Sequence, residues 1–181
     1  MMLVGIMFLM ACEKDESDEK LYFLGDSMVA NWDVEASFPN RITENLGVDG
    51  IGIATLDASV VKDNHAASVV LIGTNDLSAN MSEEKLTAYC EDYLRTIAGI
   101  PSGKVVLISV LPTNNKPKNE VIQAFNERVE KRIADYAKMV FVDCYQNFCK
   151  DGVLRKDLER DGLHLNDYGY MILTDRVKEK L

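Results

Sequence analysis

From Leu21 onward, short apolar runs alternate with longer segments of helical period, and this alternation constrains the fold more than any other feature of the chain. A parallel strand covered by helices on both faces is buried on both faces, so it reads as an unbroken apolar run; a half-exposed antiparallel strand would alternate polar and apolar residues instead. Leu21-Tyr22-Phe23-Leu24 is the first such run, stopped by Gly25, with a helix beginning near Ser27. Ile42 to Leu46 is a weaker second run, Ser68 to Ile72 a strong third, Lys104 to Val110 a fourth and Met139 to Val142 a fifth. The expectation is an α/β protein, a three-layer α/β/α sandwich around a central five-stranded parallel sheet.

The connecting segments carry the helical signal. Leu86, Tyr89, Cys90, Tyr93, Leu94 and Ile97 recur at three-and-four spacing behind Ser82, a natural N-cap. Ile122, Phe125, Val129, Ile133 and Tyr136 do the same, with Glu127, Arg128, Glu130 and Lys131 turned outward. A last helix from about Asn166 carries Leu173, Val177 and Leu181, with Tyr168 and Tyr170 expected to pack on it. A further helix is expected to end near Lys62-Asp63-Asn64-His65, with His65 structural. With 181 residues, 47% of them hydrophobic, the chain can bury one sizeable core, and no linker or repeat divides residues 21–181.

The first residues are a different material. Met1 to Ala11 holds no charge, and the apolar run Leu3 to Met10 is too short to span a bilayer. Residues 1–11 read as a signal peptide, although no Lys or Arg opens them; a buried apolar N-terminal strand is the alternative. Leu9-Met10-Ala11-Cys12 resembles the lipobox of bacterial lipoproteins, which implies a lipid on Cys12 as the one membrane contact and a place in the cell envelope, periplasmic or at the outer-membrane surface, of a Gram-negative-type bacterium. Residues 12–20 are then a charged tether, and Lys14-Asp15-Glu16 is either plain linker or an acidic export signal. A net charge of -9 with no basic stripe argues against nucleic acid as a partner. Of the remaining cysteines, Cys90, Cys144 and Cys149, at most one pair can close, with Cys144 and Cys149 nearest in sequence; buried thiols throughout are the alternative. Two histidines and no CxxC pair offer no zinc site, and no metal is expected.

In an open parallel sheet, ligands bind outside the carboxyl ends of the strands, so chemistry is sought in the polar residues that follow them. Gly25-Asp26-Ser27 follows the first run and sets a hydroxyl at a helix N-terminus. Gly73-Thr74-Asn75-Asp76 follows the third and brings an amide to the same edge. Asp161-Gly162-Leu163-His164 precedes the last helix, and a carboxylate three residues before an imidazole can hold one ring nitrogen while freeing the other as a base. Singly these are a capped turn, another cap and an ordinary histidine. Their order along one α/β pattern carries more.

Together the three blocks resemble the SGNH (GDSL-like) hydrolase family over nearly the whole of residues 21–181. That resemblance implies a flavodoxin-like SGNH hydrolase fold and a serine esterase working through an acyl-enzyme. It implies Ser27 as nucleophile, Asp161 and His164 as the other triad members, and Asn75 as an oxyanion-hole amide. Asn45-Leu46-Gly47-Val48-Asp49-Gly50 fits the family's remaining block and points to Gly50 as a backbone oxyanion donor, with Gly52 as the fallback. No Gly-x-Ser-x-Gly elbow occurs, which disfavours the ordinary α/β-hydrolase fold. No metal or organic cofactor is needed. Short connections leave no room for a long lid, so the expected substrate is a small-molecule or glycan ester bearing acetyl or another short acyl group. A lysophospholipase or thioesterase, or a non-catalytic glycan-binding lipoprotein on the same scaffold, are the rival readings. Trp32 and Asp33 lie close enough to line the pocket or stack on a sugar, against a plain buried Trp; Asp26 and Asp76 are expected to hold loops.

Overall fold

The computed structural model describes residues 20–181. The expected signal peptide, the lipidated Cys12 and the tether up to Glu19 lie outside the described residues. Lys20, assigned to the tether by sequence, lies just before the first strand and already contacts the sheet: its ammonium pairs with Glu44 and sits 4.7 Å above the Tyr22 ring, and its carbonyl accepts from the Ala67 N–H.

Five parallel strands form the centre: β1 (Leu21–Gly25), β2 (Thr43–Gly47), β3 (Ala67–Leu71), β4 (Lys104–Ile108) and β5 (Met139–Val142), in the order β2-β1-β3-β4-β5. The unbroken apolar runs have the expected cause. Leu21 and Phe23 enter one core and Tyr22 and Leu24 the other, and Val69 and Leu71 are separated from Val70 and Ile72 in the same way. One face is covered by α1 (Ser27–Ala30), α2 (Val34–Ser37) and the final helix α6 (Asp167–Lys178), the other by α3 (Glu83–Ala98) and α4 (Lys116–Ile133). A single turn, α5 (Tyr145–Phe148), leads into a small hairpin of β6 (Cys149–Lys150) and β7 (Val153–Leu154). Ser82 caps α3 through the Lys85 N–H and Asn166 caps α6 through the Gly169 N–H, as their sequence positions suggested.

The strand order places the site. The chain moves outward from β1 to β2, then returns to the other side of β1 as β3, so the crevice between the carboxyl ends of β1 and β3 is the switch point of the sheet. The segments that follow β1 and β3 flank it.

Three expectations need correction. No α-helix ends at His65: the β2–β3 connection is two short 3-10 turns, Ile53–Thr55 and Ala58–Val60, and His65 is an exposed turn residue. Asp57 and Asp63 bend back to accept from the N–H groups two residues on, a local bond that competes with helix. Tyr168 does not pack: α6 buries Gly169, Leu173 and Val177, which leaves Tyr168 50% exposed. The second strand begins at Thr43 rather than Ile42 and sits at the sheet edge, only half-buried. Cys90, Cys144 and Cys149 are free thiols, and burial pushes the Cys144 thiol up to about 12.

Candidate active site

The turn out of β1 is tight because Gly25 runs against the Leu71 carbonyl, where any Cβ would collide. Asp26 caps α1, its Oδ1 accepting from the Met28 N–H at 3.0 Å. Ser27 is thus the first residue of a one-turn helix, and no carbonyl of that helix can accept its N–H. Its Oγ lies 2.9 Å from His164 Nε2, across 137 residues of sequence. His164 Nδ1 in turn lies 2.8 Å from Asp161 Oδ2. The Ser27, His164 and Asp161 side chains predicted from sequence therefore form one hydrogen-bonded line.

Asp161 does more than hold the ring. Its Oδ1 also accepts the backbone N–H groups of His164 at 2.8 Å and Leu163 at 3.1 Å, closing the loop on itself. The His164 N–H and then the His164 ring are the main causes that bring the Asp161 carboxyl down to about 2. The stabilisation it gives is complete above its ordinary value of 3.8 and fades as pH falls through about 2, so Asp161 remains an anion across the neutral range. The loop is pinned at its base by an antiparallel bridge between Glu159 and Leu165, with the Arg160 N–H donating to the His164 carbonyl at 2.9 Å.

After β3, two consecutive side chains clamp the β2–β3 connection. Asn75 Nδ2 donates to the Ile51 carbonyl at 2.8 Å, which uses one of its two amide hydrogens and leaves the other. Asp76 Oδ2 accepts from the Ile53 N–H at 3.0 Å and the Tyr89 hydroxyl at 2.9 Å. Gly52 lies within this clamp, where a Cβ would strike the Asp76 carboxylate, while Gly50 stands at an exposed turn with a φ of 73°. The two glycines that sequence left open therefore differ in kind, one packed and one turned out. Sequence placed Tyr89 on a helix face and missed its bond to Asp76, because a hydrophobic period does not show where a phenol ends. It also missed Lys118, whose Nζ donates to the Thr74 carbonyl at 2.7 Å beside Asn75.

Trp32 is buried, and its indole N–H donates to Ser37 at 3.0 Å and Thr174 at 3.2 Å, so it is a core residue and no stacking platform. Asn45 ties β2 to the end of α1, donating to the Val29 and Trp32 carbonyls at 2.8 and 2.9 Å.

Asp26 is 1% exposed, and its Oδ2 has no hydrogen-bond partner among the described residues. Burial, opposed by the Met28 N–H and reinforced by the Asp76 charge, raises its carboxyl from 3.8 to about 6. A raised value means the folded state binds the proton more tightly. This contribution to stability is full below 3.8 and is lost as pH rises through about 6. Thermal melts of Asp26→Asn, which cannot titrate, should therefore show a shallower pH dependence across that window than the wild type; parallel curves would refute the assignment.

The profile of the GDSL-like lipase/acylhydrolase family matches residues 23–172. The fold is similar to that of a GDSL-like lipase from Bacteroides thetaiotaomicron, at a TM-score of 0.71 and 22% identity, covering 92% of this chain and 89% of that one. It is also similar to an acetylxylan esterase from Geobacillus stearothermophilus, at a TM-score of 0.64 and 19% identity, covering 90% and 93% of the two chains. Among curated proteins, the N-acylneuraminate cytidylyltransferase of Escherichia coli is 25% identical over 178 residues, and the match spans 91% of this chain but only 41% of that longer protein.

Proposed function

Because the chain belongs to the GDSL-like lipase/acylhydrolase family, we propose that it is a serine esterase that removes acetyl or other short acyl groups from a glycan or similar alcohol. The observation that carries this reading is the line of contacts from Ser27 Oγ through His164 to Asp161, at 2.9 and 2.8 Å. In the first step His164 Nε2 takes the Ser27 proton as Oγ attacks the ester carbonyl, and Asp161 stabilises the imidazolium. The tetrahedral oxyanion is held by the N–H groups of Ser27 and Gly50 and by the amide hydrogen of Asn75 that Ile51 leaves unused. Collapse breaks the ester C–O bond; His164 returns the proton to the departing alcohol and an acyl-Ser27 remains. Water then attacks that acyl group with His164 as base, releasing the carboxylic acid and restoring the hydroxyl.

The short-acyl preference rests on how open the site is. The Asp161 side chain is 47% exposed and that of His164 21% exposed, and Asn75 and Gly50 are exposed as well. Such a surface encloses a two-carbon acyl group more readily than a long chain, whose burial would supply about 0.8 kcal/mol for every methylene removed from water. Hydrolysis of a p-nitrophenyl ester series should peak at acetate or propionate and fall with chain length. A maximum at decanoate would favour the lysophospholipase reading, and absence of both turnover and fluorophosphonate labelling would favour a binding module.

A further inference from the structure

Arg95, Arg128, Arg132, Arg155 and Arg176 each reach a carboxylate within the fold. The exposed Arg160 reaches none among the described residues, although Glu159 and Asp161 adjoin it in sequence. Both neighbours are already engaged, Glu159 with Lys156 and the Gly162 N–H, and Asp161 with His164. The antiparallel bridge of Glu159 with Leu165 sets residue 160 directly opposite residue 164, and the Arg160 N–H bonds to the His164 carbonyl at 2.9 Å. Opposed residues of an antiparallel pair project to the same side, with Cβ atoms about 5 Å apart. Leu165 turns into the core, while Arg160 is exposed on the same loop that carries His164 to Ser27. The guanidinium also acts electrostatically on the hydroxyl of Tyr170, which donates to the Met28 carbonyl at 2.8 Å, one residue past Ser27.

The esterase reading fixes which part of a substrate meets this charge. The acyl oxygen must lie toward Gly50 and Asn75, while the leaving oxygen must lie toward the imidazole that protonates it. Arg160 stands on the His164 side, hence on the alcohol side. Tyr170 also lines a groove of about 440 Å³ between α2 and α6, whose wall mixes Asn31, Asp33, Asp167 and Lys178 with apolar side chains such as Met171; the Asn31 amide bonds to the Ser27 carbonyl at 2.7 Å. We propose that Arg160 is a specificity residue that takes a carboxylate on the alcohol portion of the ester, making the substrate an acylated acidic sugar or similar hydroxy acid. One planar guanidinium matches one carboxylate through two parallel hydrogen bonds. Of the other cations, Lys156 pairs with Glu159 and Lys118 donates to the Thr74 carbonyl, which leaves Arg160 as the exposed guanidinium beside His164.

This inference rests on the proposed esterase activity, and the test separates the two. O-acetylated methyl glucuronide and the matching O-acetylated methyl glucoside differ only in the carboxylate. The wild type should favour the former by about 10- to 100-fold in kcat/KM, chiefly through KM. Arg160→Gln should bring that ratio close to one, and Arg160→Lys should restore part of it. A ratio near one in the wild type, an equal loss on both esters in Arg160→Gln, or a stronger preference for a sugar phosphate ester would overturn the proposal while leaving the esterase standing. If the wild type hydrolyses neither ester, nor any p-nitrophenyl ester, and takes no fluorophosphonate label, the esterase reading falls. Calorimetry with unacetylated methyl glucuronide then decides the site: binding that Arg160→Gln abolishes sustains it, and no binding refutes it.

Discussion

Ser27→Ala should lower kcat on an acetylated sugar by roughly 10^6-fold, and His164→Ala by about as much, with the double variant no worse than either alone. The two side chains are halves of one proton transfer: the Oγ at 2.9 Å from Nε2 is a weak nucleophile until the ring takes its proton, and the ring has nothing to activate once the hydroxyl is gone. Asp161→Asn should cost less, about 10^4-fold, because the amide keeps the geometry while favouring the wrong tautomer of His164. Asp161→Ala differs in a second way, since it also removes the acceptor for the His164 and Leu163 N–H groups and loosens the loop that carries the base. The measurement is single-turnover hydrolysis together with fluorophosphonate labelling of Ser27. Wild-type rates in Ser27→Ala would refute the nucleophile assignment outright.

The sheet and the hydrogen-bonded triad were legible in sequence for a common reason. A strand buried on both faces advertises itself as an apolar run, and the residue types that stop such a run fall where the sheet exposes its carboxyl edge. That reasoning brings Ser27 and Asn75 to the carboxyl edge, and only the family resemblance suggested a role for each. His164 and Asp161 needed that reasoning less, because a carboxylate and an imidazole three residues apart meet within one loop. What sequence concealed is decided by contacts between distant segments. The β2–β3 connection looked helical near His65, yet it is shaped by Asn75 and Asp76 reaching across 24 and 23 residues to Ile51 and Ile53. Spacing alone ranked Gly50 above Gly52, and the physical difference between them, an Asp76 carboxylate lying over Gly52, is a contact with a distant segment. The burial of Asp26 is likewise a consequence of the core closing over α1, and Tyr168 differs from Tyr170 only in the side of α6 it occupies. That Arg160 has no carboxylate partner among the described residues emerges only once Glu159 and Asp161 have been traced to theirs.

Asn75→Ala should lower kcat by about 10^2- to 10^3-fold with a much smaller change in KM, since an oxyanion donor acts on charge that exists only in the transition state. Asn75 has a second job in the fold, holding the Ile51 carbonyl at 2.8 Å, so a loss of activity could arise from a displaced loop rather than a missing donor. Tyr89→Phe separates the two. It removes the hydroxyl that steadies Asp76, and through Asp76 the Ile53 N–H, without touching any group assigned to the oxyanion. If Asn75 stabilises the oxyanion, Asn75→Ala should fall well below Tyr89→Phe in kcat. Melting temperature should move the other way: Asn75 is exposed, whereas Tyr89 packs against Tyr93 and Phe125 with ring centroids 5.8 and 5.2 Å apart, and loss of its hydroxyl leaves Asp76 one partner short. Equal kcat losses in the two variants, tracking equal losses of stability, would reduce Asn75 to a loop fastener and leave the hole to the backbone N–H groups of Ser27 and Gly50.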